Sequence, residues 1–311
     1  MNRRKFIKNT LTGSALIAFS SGYQDVFASN QRVKLTILHT NDVHSRIDPF
    51  PMDDIKYAGM GGVAPRTALI KKIRQEEEHV LLLDAGDIFQ GTPYFNIYKG
   101  EPEIRSMSEM GYDAGTMGNH DFDAGLENFA TQLHHAEFPV ILCNYDFTGT
   151  PMEFKYQPYK IFRKGKLKIG VTGVGIEMAG LVPQALIGNT KYLDPVANAN
   201  MIADKLKKDK GCDMVICLSH LGYKYKDDRE KISDTIFAAE TENIDLIIGG
   251  HTHTFLDDPV LLKNKSGSDV LINQVGWAGL RLGRLDYEFN SRKTSKISSA
   301  QSVIVSKQTS G

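Results

Sequence analysis

The sequence predicts an α/β fold, and three observations carry that prediction. Short apolar runs rich in β-branched residues alternate with amphipathic stretches. The chain has 311 residues, of which 41% are hydrophobic, enough for one large α/β domain. No repeat, Pro/Gly/Ser linker or break in composition divides it. In chain order the strand candidates are VKLTILHT, HVLLLDAGD, DAGTMGNH, FPVILCNYD, LKIGVTGVG, CDMVICLSH, IDLIIGGHTH, DVLINQVG and LGRLDYEF. Several read as buried strands. Between them, Ala64 to Arg74, Leu126 to His135 and Asn198 to Lys208 read as helices. The tail after Asn290 is rich in Ser and Lys, with one apolar patch, SVIV, expected as a last edge strand.

Charge excludes some functions. Lys+Arg and Asp+Glu both number 37, so no bulk charge favours nucleic acid or an anionic membrane. The N-terminus, MNRRKFIKNTLTGSALIAFSSGYQDVFASN, has Arg3 and Arg4, Phe6, a short apolar run and a small-residue cut after Ala28; it resembles a twin-arginine export signal. Residues 1–28 are accordingly expected to be removed, leaving 29–311 as a single exported domain, periplasmic or extracellular. Removal takes four basic residues and one acid, leaving 33 against 36, so affinity for phosphate must be local. The run from Leu11 to Phe19 falls short of the ~20 residues a membrane span needs. No Cys precedes Cys143, which argues against a lipid anchor. Cys143, Cys212 and Cys217 lie on or beside apolar strands and read as buried thiols.

The polar residues fall where the strands end. Asp42 and His44 follow the first run; Asp84 and Asp87 end the second; Asn119, His120 and Asp123 end TMGNHDFD; His220 ends VICLSH; His251 and His253 follow LIIGG. Ligands of open α/β sheets bind at that edge. Five of nine histidines therefore share one expected rim with carboxylates and an amide, a donor mix suited to divalent metals. Each residue also has an ordinary reading. Asp42 can form an Asx turn, Asp87 can cap a helix or turn, and Asp123 can cap the helix that follows. His220 can be a satisfied core histidine, and His251 with His253 a loop pair. Their joint occurrence, each after a strand, favours a site. His39, His79, His134 and His135 lack that context and read as structural or surface residues.

The blocks ILHTNDVHS, LLLDAGDIFQGTP, TMGNHDFDAG, CLSHLG, IIGGHTHT and NQVGWAGLRLGRLD resemble, over about residues 33 to 290, the catalytic domain of the periplasmic 5'-nucleotidase/UDP-sugar hydrolase family of calcineurin-like dinuclear metallophosphatases. The resemblance implies two central mixed β-sheets flanked by helices in a four-layer sandwich, with two divalent metal ions at the strand ends. Carried over by motif, Asp42, His44, Asp87 and His253 hold one ion. Asp87 bridges to the second, which Asn119, His220 and His251 complete. His120 and Asp123 match the catalytic dyad, and Asp84 is a support residue. Zn, Mn, Fe, Co and Mg all suit this thiolate-free donor set.

The implied activity is hydrolysis of 5'-nucleotides or related sugar-nucleotide phosphates by in-line attack of a metal-bridging hydroxide, with His120 protonating the leaving oxygen and Asp123 orienting it. Amides at the start of the helix after Asp123 are expected to face the same anion. Alternatives are a broad phosphomonoesterase, a 2',3'-cyclic phosphodiesterase, a thiosulfate-ester hydrolase and a non-catalytic metal-binding subunit. Family members usually append a nucleoside-binding domain. The sequence stops near the end of the catalytic blocks, so a separate polypeptide is expected to supply that domain.

Overall fold

The computed structural model describes residues 32–309; the assigned export signal lies outside the described residues. Two mixed sheets stack face to face. The first has the order Ser295–Ile304, Arg281–Phe289, Val33–Thr40, Val80–Asp84, Ala114–Gly115, Val140–Ile141, Tyr156–Gln157. The second has the order Val260–Lys263, Asp269–Asn273, Leu246–Gly249, Met214–His220, Leu167–Gly175, Tyr159–Lys164. The strands from Val33–Thr40 to Tyr156–Gln157 run parallel, as do the four central strands of the second sheet, and antiparallel strands close the other edges. Among the described residues, no helix is long and apolar enough to cross a membrane.

Alternation along the strands sorts the core into layers. Leu35, Ile37, Leu81 and Leu83 of the first sheet meet Ile169, Val171, Ile216, Leu218 and Ile248 of the second in one buried cluster. From the opposite face of the first sheet, Leu38, Val80 and Leu82 pack on Leu69, Ile70 and Ile73 of helix Val63–Glu76 and on Ile104 and Met107 of helix Glu101–Met110. Likewise, Val215 and Cys217 pack on Ala199 and Ile202 of helix Pro195–Asp204 and on Phe237 of helix Asp234–Glu240. Burying such a side chain contributes roughly 1.5–3 kcal/mol, so strands apolar on both faces hold four layers together. The three cysteines are free and buried, as expected.

Several elements differ from the sequence reading. FPVILCNYD is two short strands, Val140–Ile141 and Tyr145–Asp146. The chain crosses between sheets there: Leu142 N–H bonds Gln157 O on the first sheet, while Cys143 N–H bonds Gly173 O on the second. Of DAGTMGNH only Ala114–Gly115 is strand, and the remainder is site loop. The helix expected from Asn198 begins at Pro195, because Asp194 caps it by accepting Ala197 N–H at 2.9 Å with Pro at the first position. Residues 302–304 of SVIV end a longer edge strand, Ser295–Ile304.

Candidate metal centre

The central parallel strands of both sheets direct their C-terminal ends to one rim. Hydrogen bonds stitch its loops together: Asp42 N–H to Gly86 O, His44 N–H to Asp87 O, Ser45 N–H to Ile88 O and Ala278 N–H to Asp42 O, at 2.7–3.0 Å. Asp42, His44, Asp87, His251 and His253 all adopt left-handed backbone conformations, with φ of 50°, 49°, 56°, 72° and 52°. Each such non-glycine residue costs of order 1–3 kcal/mol and persists only where its surroundings over-determine it. Asp121 is one such constraint. Buried between the loops, its carboxylate accepts the N–H groups of Asp87, Ile88, Phe89 and Gly118 at 2.8–3.2 Å.

Two groups of donors result. Asp42, His44 and His253 form one and Asp87, His220 and His251 the other, the donor atoms within each lying within 4.8 Å of one another. Asp87 stands between them, its Oδ2 being 3.1 Å from His220 Nε2 and 3.8 Å from His44 Nε2. Asn119 Oδ1 lies 2.7 Å from His251 Nδ1. All seven residues singled out as metal ligands in the sequence therefore meet at one place.

The electrostatics of the cluster fit a cation. Burial pushes the carboxyl of Asp42 up to about 8, reinforced by the charge of Asp87. Burial opposes ionisation of Asp87 too, but His220, His44 and His120 outweigh it and hold the carboxyl well below the usual range. His220, although desolvated, is pushed up to about 10 by Asp87 and Asp42. A proton on this imidazole thus does the neutralising that a metal ion does better, while its Nε2 finds no well-aligned hydrogen-bond acceptor. Burial, with neighbouring imidazoles, lowers His251 to about 3 and His253 to about 4, leaving neutral lone pairs suited to coordination. His220 Nδ1 faces Ala85 O at 2.7 Å and His44 Nδ1 faces Phe89 O at 3.1 Å, so in both rings Nε2 is turned to the cluster.

His120 and Asp123 sit at the edge. Nδ1 of His120 is 2.8 Å from Asp123 Oδ2, its backbone N–H donates to Asp87 Oδ1 at 2.8 Å, and its ring lies 5.3 Å from that of His44. The hydrogen bond that His120 Nδ1–H donates to Asp123 raises the proton affinity of His120 against partial burial. The expected capping role of Asp123 is not found. The next helix is Leu126–Gln132, its N-cap is Gly125, and no side chain caps it. Asp84 accepts Thr40 Oγ1–H at 2.6 Å and Gly86 N–H at 2.9 Å, a support role for the loop.

The sequence reading missed Asp121, Gly118 and Trp277. A Cβ at Gly118 would fall 2.5 Å from His220 Nε2 and closer still to Asp87 Oδ1. The signal for both was TMGNHDFD itself, which holds a glycine and a second acid without an assigned role. Trp277 lies parallel to His253, ring centroids 5.7 Å apart, and nothing local in NQVGWAG announces that contact.

Paired His/Asp clusters at the joined rims of two sheets define a protein that holds two divalent metal ions. Residues 35–255 match the family model described as calcineurin-like phosphoesterase, and the chain belongs to that family. It is 33% identical over 299 residues to a snake venom 5'-nucleotidase of Gloydius brevicauda, covering 89% of this chain and 49% of the relative. A 5'-nucleotidase of Vibrio parahaemolyticus is 32% identical over 325 residues, covering 96% of this chain and 56% of the relative. The crystal structure of a 5'-nucleotidase precursor from Thermus thermophilus superposes with a TM-score of 0.79 at 29% identity, covering 89% of this chain and 55% of the other. The chain spans about half the length of the curated relatives it matches.

Proposed function

We propose that this chain is a hydrolase of phosphate monoesters, with 5'-nucleotides as its substrates. In this reading Asp42, His44, Asp87 and His253 hold one divalent ion, and Asp87, Asn119, His220 and His251 hold the other. The observation that carries it is the position of Asp87, within 3.8 Å of an imidazole from each cluster while its second oxygen anchors the backbone of His120. When bound, the two ions supply charge stabilisation of the phosphoryl oxygens and a nucleophile at neutral pH. Asn119 adds a neutral donor that does not repel an anionic substrate. His120 gives a proton to the leaving oxygen from Nε2, and Asp123 fixes the tautomer by occupying Nδ1. The nucleotide assignment draws its support from relatives named 5'-nucleotidases.

Residues 1–28 act in this proposal as a twin-arginine export signal and residues 29–311 as one catalytic domain. A second element, carried on a separate polypeptide, supplies nucleoside contacts over the rim. The test is a substrate panel with each candidate metal: AMP, a UDP-sugar, a 2',3'-cyclic nucleotide and an aryl phosphate. AMP is expected to be hydrolysed, with more discrimination over the aryl phosphate once the second polypeptide is added. Cleavage of the cyclic nucleotide alone would contradict the reading.

A further inference from the structure

Trp277, the only tryptophan of the chain, lies on the ligand that the rest of the centre holds least. Asp42, His44, Asp87, Asn119 and His220 are buried and His251 is partly so, whereas the His253 side chain is 41% exposed. The other imidazoles also have anchors. His44 and His220 turn Nδ1 to the carbonyls of Phe89 and Ala85, and the backbone N–H of His251 donates to Asp42 while its Nδ1 faces Asn119. Among the described residues, His253 Nδ1 makes no hydrogen bond; its Nε2 faces His44 Nε2 at 2.9 Å and Asp42 Oδ1 at 3.5 Å. An exposed side chain without an anchor changes rotamer on the picosecond to nanosecond timescale.

What lies on this imidazole instead is the indole of Trp277, parallel to within 8° at a centroid separation of 5.7 Å, in the range of offset stacking. The indole is itself held. Phe50 and Tyr57 meet it edge-on, with centroids 6.0 and 6.3 Å away and an interplanar angle of 81° in both pairs. The backbone on either side of Trp277 is tied to the same cluster: Gly276 N–H bonds Thr254 O, next to His253, at 2.9 Å, and Ala278 N–H bonds Asp42 O at 2.7 Å. Ala278 has a left-handed φ of 55°, a conformation that persists only where the surroundings over-determine it. A Cβ at Gly276 would enter the Phe255 ring, so the turn leading into Trp277 requires glycine. A flat ring clamped to the Asp42 loop and laid on His253 therefore fixes the plane of that imidazole, and with it the direction of Nε2.

We infer that Trp277 is a positioning residue for one of the two metal ions: by stacking on His253 it presets that ligand and raises the affinity of the Asp42, His44 and His253 cluster over that of an unstacked site. This rests on the ligand set of the proposed function. Partners that orient a metal ligand govern affinity by about 10–100-fold, and a side chain already in place spares the cost of ordering it on binding.

The test titrates the metal-freed full chain with Zn²⁺ against a competing chelator, for the parent, Trp277→Leu, Trp277→Phe, His253→Asn and His251→Asn. Trp277→Leu is expected to hold one of two ions about tenfold more weakly. Trp277→Phe, which keeps a flat ring, should restore most of that affinity. Parental affinity in Trp277→Leu, equal weakening of both ions, or equal losses in the Leu and Phe variants overturns the inference. Zn²⁺ has a filled d shell, so the emission of the single tryptophan reports the ring contact rather than quenching by the ion. In the parent that emission should change as one ion binds and no further with the second; the change should persist in His251→Asn and vanish in His253→Asn. Emission that ignores Zn²⁺, or follows it equally without His253, overturns the inference as well. This arm leaves Trp277 in place and decides even where Trp277→Leu does not fold. If His253→Asn keeps both ions at parental affinity, the ligand set of the proposed function fails and the inference with it. If His253→Asn loses one ion and Trp277→Leu does not, the inference fails alone.

Discussion

Substituting Gly118 by alanine tests the geometry of the centre without replacing a proposed metal ligand. The added methyl would lie 2.5 Å from His220 Nε2 and Cε1, whereas ordinary contact begins near 3.4 Å. The imidazole, or the loop carrying Gly118, must therefore give way by close to 1 Å, and Asp87 Oδ1 is pressed harder still. Neither partner has slack, because His220 is buried and held by Ala85 O, and Asp87 sits in a left-handed loop pinned by Asp121. Overpacking of this kind costs about 1–3 kcal/mol of stability. A misplacement of about 1 Å at a catalytic centre can cost about 10²-fold in rate. The assay measures thermal unfolding, metal content by elemental analysis and kcat on AMP for Gly118→Ala beside the parent. A folded variant with weakened metal retention and a rate lowered by about two orders of magnitude is expected. Full metal content with undiminished turnover would refute the packing argument.

Other perturbations separate the roles. His120→Asn should retain both metals and lose ~10²–10⁴-fold in kcat on AMP, with a smaller loss on an aryl phosphate whose leaving group needs no proton; equal losses on both would remove the leaving-group role. Asp123→Asn replaces the charged acceptor that raises His120 by a neutral one, so the proton is lost at lower pH and the alkaline limb of the kcat profile should move down; a limb that stays in place disconnects this pair from proton transfer. Metal removal should expose a pH-dependent instability. Asp42, raised to about 8, and His220, raised to about 10, hold protons in the folded chain that the unfolded chain releases earlier. The stability they contribute is fully present at low pH; the part from Asp42 falls as pH rises from about 4 to 8 and the part from His220 as it rises from about 6.5 to 10, so both fall together near neutrality. Restoring metal should raise the unfolding temperature most at the alkaline end, and equal gains at pH 6 and 9 would contradict that linkage.

How far the sequence disclosed this site depends on range. Asp42, His44, Asp87, Asn119, His220, His251 and His253 were legible because each follows an apolar run, and parallel strands carry such residues to one edge. The apolar runs carried the α/β class, while the four-layer arrangement was what the family resemblance implied. Edge strands such as Tyr159–Lys164 were missed because alternating Lys and Arg on a half-solvated strand, YKIFRK, gives little apolar signal. Asp121 escaped because its partners are backbone N–H groups of a loop over thirty positions earlier in the chain, which no local pattern encodes. The capping role read for Asp123 failed locally: the helix begins two positions later than that reading needs, with Gly125 at its N-cap, and the Asp123 carboxylate pairs with His120 instead.

The most direct test of the shared-carboxylate centre is metal stoichiometry in Asp87→Asn. The parent, loaded and then freed of loose ions, should hold two divalent ions per chain. The variant loses the one charge placed between His220 and His44, so it should retain fewer ions than any variant in which a ligand of a single cluster is changed, such as His253→Asn, and its turnover should fall with them. Two tightly held ions and normal turnover in Asp87→Asn would contradict the account.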